Sequence, residues 1–437
     1  MEKEFNAGQA VKADSFNGID IYRIDTDKFK TSSIHIFFHD NLTRENVTKN
    51  ALLPAVMRRG SKAYPSLKDI SMELENLYGA SFDCGVSKKG ERHLMHFYIE
   101  FLSKKYTPDG TDTFEAGLRL LSDIVTRPAF VNGVFNEEHM ISEKDKLRIL
   151  IEGRVNDKMS YSMERCLEEV CRHEPYGIYD YGFVEDLAQI TAEELTRHYV
   201  KMVETFPMQV FLTGNISDAE ADRVAELLRG LTRKDTLALR DGFTAKVNVE
   251  PRYVTETMNV TQGKLCLGYR TNTPPGSQEY RALMIYSGIL GGGTHSKLFQ
   301  NVREKAGLAY YSHAMLEKFK GLMVISSGID IKDKDRTMEI IEKQLDDISN
   351  GNISDREMDA TLKSMETGIK SLTDSQIHIV DFYLSQMMSG TSDSFGDVIK
   401  KIRQVKREDV IRAAQKITLD TVYFLTAPED GQQAAVE

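Results

Sequence analysis

A chain of 437 residues is too long for one ordinary hydrophobic core and predicts roughly two to four domains. An apolar fraction of 41% and a charged fraction of 28% exclude wholesale disorder, and a formal net charge of -10 argues against nucleic acid as a partner, since such binders carry a basic patch. Cys84, Cys166, Cys171 and Cys266 form no Cys-x-x-Cys pair and no disulfide framework, no stretch approaches the roughly 18 apolar residues of a membrane span, and Met1 to Phe16 lack a signal-peptide core, so a cytoplasmic protein with reduced thiols is expected.

Ile34, Ile36 and Phe38, alternating with His35 and Phe37, predict a buried strand. Leu67, Ile70, Leu74 and Leu77 fall at helical spacing, with Gly79 as a stop. Ser81 to Val86 and His93 to Phe101 predict two strands around a Lys88-Lys89-Gly90 turn. Helices are expected from Asp112 to Val125, Asn136 to Glu152 and Lys158 to Glu169. Thr191 and Glu194 read as a capping box opening a helix, and a strand, Met208 to Gly214, follows it. The same order recurs near the end: a helix opens at Val405 to Val410, and Thr421 to Ala427 is a strand. An offset of roughly 215 residues between the two implies an internal duplication.

The second half has the same texture. Leu265 to Tyr269 predicts a strand, Glu279 to Leu290 a helix, and Phe319 to Ile329 a strand. Met338, Ile341, Leu345 and Ile348 mark a helix, and Ser354 with Glu357 caps another whose face carries Met358, Leu362, Met365 and Ile369. Charged, aperiodic residues 231–250 read as a linker between domains 1–230 and 251–437. The expected fold is α+β: two related domains, each a mainly antiparallel sheet with helices packed on one face.

Constellations for chemistry are few. The ten histidines include no His-x-x-x-His pair from one helix. His35 and His39 belong to an expected strand that holds them too far apart to share a metal, and His93 and His96 point to opposite faces of another. They read as ordinary histidines. Glu137, Glu138 and His139 begin a helix whose dipole suits the acids. There is no phosphate loop and no Gly-x-Ser-x-Gly elbow, and Gly291-Gly292-Gly293 reads by itself as a flexible turn.

Three longer stretches say more. Residues Gly291 to Tyr310 (GGGTHSKLFQNVREKAGLAY) closely resemble the second-half signature of the insulinase/pitrilysin-type zinc peptidases. His173-Glu174-Pro175-Tyr176-Gly177, followed by Asp186 to Thr191, is a second match, and Arg127-Pro128-Ala129-Phe130 a third. They occur in the family's order across both halves. In active relatives an inverted His-x-x-Glu-His motif on a first-half helix binds zinc and supplies the general base. The matching site here is Ala51-Leu52-Leu53-Pro54-Ala55: Ala51 and Ala55 replace the histidines and Pro54 replaces the glutamate. A methyl group offers zinc no lone pair, so no metal and no cofactor are expected in this chain. Around Leu150 to Glu152, where the third ligand belongs, there is one carboxylate at most. Pro54 also predicts a kink or a late helix start.

The second-half pair is retained. In active relatives an arginine and a tyrosine seven residues apart bind the substrate carbonyl and the developing oxyanion, and Arg303 and Tyr310 keep that spacing. The resemblance implies a clam-like, non-catalytic subunit of a two-chain metallopeptidase. It would bind a peptide substrate and work with a homologous subunit that carries HxxEH and the zinc. The alternative is an inert peptide-binding or scaffold protein of the same fold.

Overall fold

A computed structural model describes residues 8–240, 242–243, 245–246 and 250–428. Part of the stretch read as a linker thus lies outside the described residues. The chain opens with β1 (Ala10–Phe16), β2 (Ile19–Asp25) and β3 (Thr31–Asn41). Next come α1 (Val47–Met57), α2 (Leu67–Asn76) and a hairpin, β4 (Ser81–Lys89) and β5 (Arg92–Leu102). Gly90, in the hairpin turn, has φ +57, which suits glycine. Then follow α3 (Thr113–Thr126), the short strands β6 (Phe130–Val131) and β7 (Val134–Phe135), α4 (Glu137–Gly153), α5 (Lys158–Val170), α6 (Val184–Leu187), α7 (Ala192–Thr205), β8 (Met208–Gly214) and α8 (Asp218–Arg229).

The second half contains β9 (Arg252–Thr257), β10 (Gly263–Arg270), α9 (Glu279–Gly291), β11 (Ala309–Glu317) and β12 (Leu322–Ile329). It closes with α10 (Lys334–Ser349), α11 (Asp355–Leu372), α12 (Gln376–Met388), α13 (Phe395–Ile402), α14 (Arg407–Ala414) and β13 (Thr418–Thr426). Ser354 and Glu357 form the expected reciprocal cap. Thr191 accepts from the Glu194 N–H, but the Glu194 carboxylate turns to Lys49 at 3.5 Å, so this cap is only half of a box.

The six-stranded sheet runs β1-β2-β8-β3-β5-β4 and the five-stranded sheet, read from its far edge, runs β9-β13-β10-β12-β11. Five positions correspond. In each sheet one neighbouring pair is parallel, β2 with β8 and β9 with β13, and the rest are antiparallel. The fold is thus α+β with two like halves.

The compact units interleave along the chain. The first comprises Met1–Gly153, Ile178–Asp241 and Thr373–Ser385; the second comprises Arg154–Gly177, Gly242–Leu372 and Gln386–Glu437. A cut at 231–250 therefore leaves α5 and most of α12 on the other side from the unit each packs in. Both belong to the same place in the repeat, since α5 begins at Lys158 and α12 at Gln376. Their role follows from strand alternation. In the second unit Cys266, Leu322, Val324, Tyr423 and Leu425 pack with Tyr161, Cys166 and Val170 of α5. Leu265, Leu267, Met323, Ile325, Val422 and Phe424 point to the opposite face and are equally buried. A single added helix thus covers the face away from the main helical layer.

In the first unit Ile34, Ile36 and Phe38 join the core with α1, α3 and α7, whereas Ser33 and His35 face the other way. Ser33 Oγ donates to Gln376 Oε1 of α12 at 2.8 Å and meets His35 Nε2 at 3.0 Å. His35 Nδ1 lies 3.1 Å from His96 Nε2, and both rings stack with Tyr98. His39 and His93 are buried as well. Burial holds His39, His93 and His96 down to about 3, with Arg92 adding to the effect at His39, and burial lowers His35 well below its ordinary value.

Candidate functional site

Two places carry the sequence-derived candidates. The first is α1. The helix starts at Val47 and runs through Pro54, rather than starting late at it. Leu52 and Leu53 are fully buried, each worth about 1.5–3 kcal/mol, so packing outweighs the proline's lost hydrogen bond. Ala51 is buried and Ala55 half-buried. The Cys84 thiol of edge strand β4 donates to the Pro54 carbonyl at 3.2 Å.

Behind Ala51 stands a polar network that the sequence did not reveal. Asn50, fully buried, donates through Nδ2 to Asp40 Oδ2 at 3.0 Å and approaches His93 Nδ1 at 3.2 Å. Its Oδ1 lies 2.6 Å from His198 Nε2. Asn46 adds a second donor to Asp40 at 3.0 Å. Burial raises the Asp40 carboxyl against the pull of these amide donors, and burial with nearby Lys49, Lys201 and His93 pushes His198 down to about 3. The amide of Asn50 occupies the point between two imidazoles and a carboxylate, so the cluster locks α1 to β3, β5 and α7. Its members lie up to 158 residues apart along the chain, so no local pattern announces it.

Zinc is the group the resemblance implies, and the residues at its place do not fit it. Methyl groups stand at Ala51 and Ala55. Glu152 is exposed and bound by Arg148 at 3.1 Å, and Leu150 is an exposed apolar side chain. The buried carboxylate of α4 is Glu143, paired with Arg59 at 3.3 Å and Lys146 at 2.6 Å. Among the described residues no three histidine, cysteine or carboxylate side chains converge as a metal site.

The second place is the segment from Gly291 to Tyr310. Gly291 ends α9 against β11: a Cβ there would lie 2.3 Å from the Ala314 backbone nitrogen, so only glycine permits this approach. The loop is anchored to α11 by Lys297 with Glu357 at 2.9 Å and by His295 with Thr361 at 2.9 Å. Residues Phe299–Lys305 then wind a wide helical turn. Ala306 N–H donates to the Asn301 carbonyl five residues back, and Leu308 N–H to Val302 six back. Leu298 and Val302 hold the inner side, fully buried. Gly307, at φ +64, reverses the chain into β11.

Arg303 and Tyr310 flank that reversal. The Arg303 side chain is 45% exposed; its ion pair is with the adjacent Glu304, through Nε at 3.8 Å. Tyr310 is 59% exposed, and its hydroxyl makes no hydrogen bond among the described residues. The register with β12 slips between Ala309 and Tyr311, so Tyr310 is the extra residue of a β-bulge, a device that re-aims a side chain.

The other two matched stretches are structural. Lys62 N–H donates to Arg127 O, Ala129 N–H to Gly60 O, and Ser61 bridges Pro128, so Arg127 to Ala129 pin the loop after α1. Glu174 accepts from Arg270 Nη2 at 2.7 Å and from Lys246 Nζ at 2.5 Å, with Lys320 Nζ 2.8 Å away. Arg270 also reaches Asp420 at 3.0 Å. Burial raises the Glu174 carboxyl, but the three cations outweigh it and hold it down to about 2.

A two-unit α+β chain with Ala51 and Ala55 on α1 and a solvent-facing Arg303 and Tyr310 has the pattern that the resemblance implies for a degenerate relative of a zinc peptidase. Comparison with known proteins agrees. Residues 189–365 match the family described as "Peptidase M16 inactive domain". The chain is 35% identical over 412 residues to "Probable inactive metalloprotease YmfF" of Bacillus subtilis, covering 94% of this chain and 96% of that one. It is also similar to "Uncharacterized zinc protease YmxG" of the same organism, 22% identical over 83% of this chain and 89% of that one. A conserved protein from Enterococcus faecalis superposes with a TM-score of 0.89 at 29% identity, over 97% of this chain and all of that one. An M16 inactive-domain structure from Pseudomonas fluorescens shares the fold, with a TM-score of 0.79 at 16% identity, again over 97% of this chain and all of that one. The chain therefore belongs to the M16, insulinase/pitrilysin-type peptidase family. No helix among the described residues is long and apolar enough to cross a membrane.

Proposed function

We propose that this chain is the non-catalytic subunit of a two-chain metallopeptidase, binding the peptide and lending Arg303 and Tyr310 to a homologous subunit that carries HxxEH and zinc. One observation carries the reading: Arg303 and Tyr310 sit on two backbone irregularities, a wide helical turn and a bulge, and among the described residues neither is consumed by a buried partner. Irregular backbone of this kind costs stability and is concentrated where a side chain must be aimed. The chemistry suits the role. A guanidinium is a permanent cation with several donors, a phenol adds one more, and donors directed at a developing oxyanion stabilise a transition state by several kcal/mol. β11, which carries Tyr310, is an edge strand, so its outer backbone groups can take an extended peptide as an added strand. The positions Ala51, Pro54 and Ala55 leave metal and general base to the partner.

The test is co-expression with the HxxEH-bearing homologue of the same genome. Each chain alone is expected to leave an internally quenched peptide intact, and the mixture to cleave it. A homologue that cleaves equally well without this chain would remove the subunit reading. The scaffold alternative would then stand.

A further inference from the structure

We infer that Phe299 is a positioning residue that pre-aims Arg303, an inference that rests on the peptide-binding reading of Arg303. The Arg303 guanidinium carbon lies 4.8 Å from the centre of the Phe299 ring, one helical turn earlier on the same segment. A cation over an aromatic face is attracted by the ring quadrupole. The geometry answers a specific difficulty. A half-exposed arginine samples many rotamers, and ordering it at the moment of binding opposes affinity. Stacking removes part of that freedom in advance. The contact occupies no oxygen acceptor, so the guanidinium N–H donors stay available to a ligand. Among the described residues its ion pair is with Glu304, through Nε at 3.8 Å, which is long and does not engage the Nη groups.

The wide turn holds Phe299 in place. Leu298 and Val302 are fully buried. Asn301 Nδ2 donates to Gln344 Oε1 of α10 at 2.5 Å, and Gln344 is itself buried. Lys305 Nζ reaches back to Asn301 Oδ1 at 3.0 Å. With its inner side tied at three points, the turn cannot rotate to carry the ring away from the arginine.

The experiment uses the full chain and two variants. Phe299→Leu keeps an apolar side chain and removes the ring, whereas Phe299→Tyr keeps the ring. In the parent chain the Arg303 Nε–H resonance, assigned by its loss in Arg303→Lys, should carry an aromatic ring-current shift. Phe299→Leu should abolish that shift and Phe299→Tyr should retain it. With the HxxEH-bearing homologue and an internally quenched random peptide, Phe299→Leu should lower kcat/KM roughly two- to fivefold at unchanged Tm. Phe299→Tyr should match the parent. An Arg303 resonance indifferent to Phe299→Leu would overturn the inference, as would equal losses in both variants together with a lowered Tm. A ring-current shift seen as expected, with Arg303→Ala leaving kcat/KM unchanged, would instead sink the peptide-binding reading, and the positioning role with it.

Discussion

Glu174 and the buried histidines of the first unit both lose stability on acidification, in different pH windows. Glu174 is ionised and held down to about 2 by Arg270, Lys246 and Lys320, so its contribution is fully present above about 4.5 and is lost as pH falls through about 2. Glu174→Gln removes the carboxylate that buried Arg270 and Lys320 share, although Arg270 keeps Asp420, and should cost about 3–5 kcal/mol in chemical denaturation. His39, His93, His96 and His198 stay neutral in the fold down to about 3, while the unfolded chain charges near its ordinary 6.5. The unfolded state then binds more protons, so stability falls as pH drops from 6.5 to 3, by up to about 1.4 kcal/mol per pH unit for each histidine. Denaturant midpoints between pH 8 and pH 5 should therefore decline, and His96→Phe should flatten the decline; a pH-independent midpoint would contradict these burial assignments. At Ala51 and Ala55 the missing lone pairs predict far less than one zinc per chain by elemental analysis after purification without chelator.

At the scale of elements, most of the secondary structure was legible because amphipathic periodicity and capping residues are local. The hairpin of β4 and β5, the helices α2, α10 and α11, and the Ser354 cap all come from short windows. The irregular pieces were not legible. FQNVREK has an ordinary helical composition, yet it winds as a wide turn that ends at the Gly307 reversal. The bulge at Tyr310 arises from pairing with β12 and leaves no mark in the sequence of β11 itself. Gly291, read from sequence as a flexible turn, is a close-packing position. Gly291→Ala should destabilise by about 1–3 kcal/mol, because its Cβ would strike the Ala314 backbone, which cannot move away as a side-chain tip could. A melting temperature equal to the parent's would show that α9 and β11 have room to separate.

Across the whole molecule, the repeat was visible as matching helix–strand endings, but not the exchange of α5 and α12. Which sheet a helix covers depends on partners far along the chain, such as Gln376 with Ser33 and Thr31, and local pattern is blind to that. The exchange makes a chain cut costly: a fragment ending near residue 240 lacks α12, and one beginning near 250 lacks α5. Each fragment alone should be poorly folded by near-ultraviolet circular dichroism, and the two should recover signal when co-expressed. Independent cooperative folding of either would contradict the interleaved assignment. The central claim, that Arg303 and Tyr310 complete a partner's active site, is tested most directly by kcat/KM of the reconstituted pair carrying Arg303→Ala or Tyr310→Phe. Loss of one oxyanion-type donor predicts a fall of roughly 100- to 1000-fold with Tm and assembly unchanged, and only partial recovery in Arg303→Lys. Full activity in both variants, or a loss that follows unfolding, would contradict it.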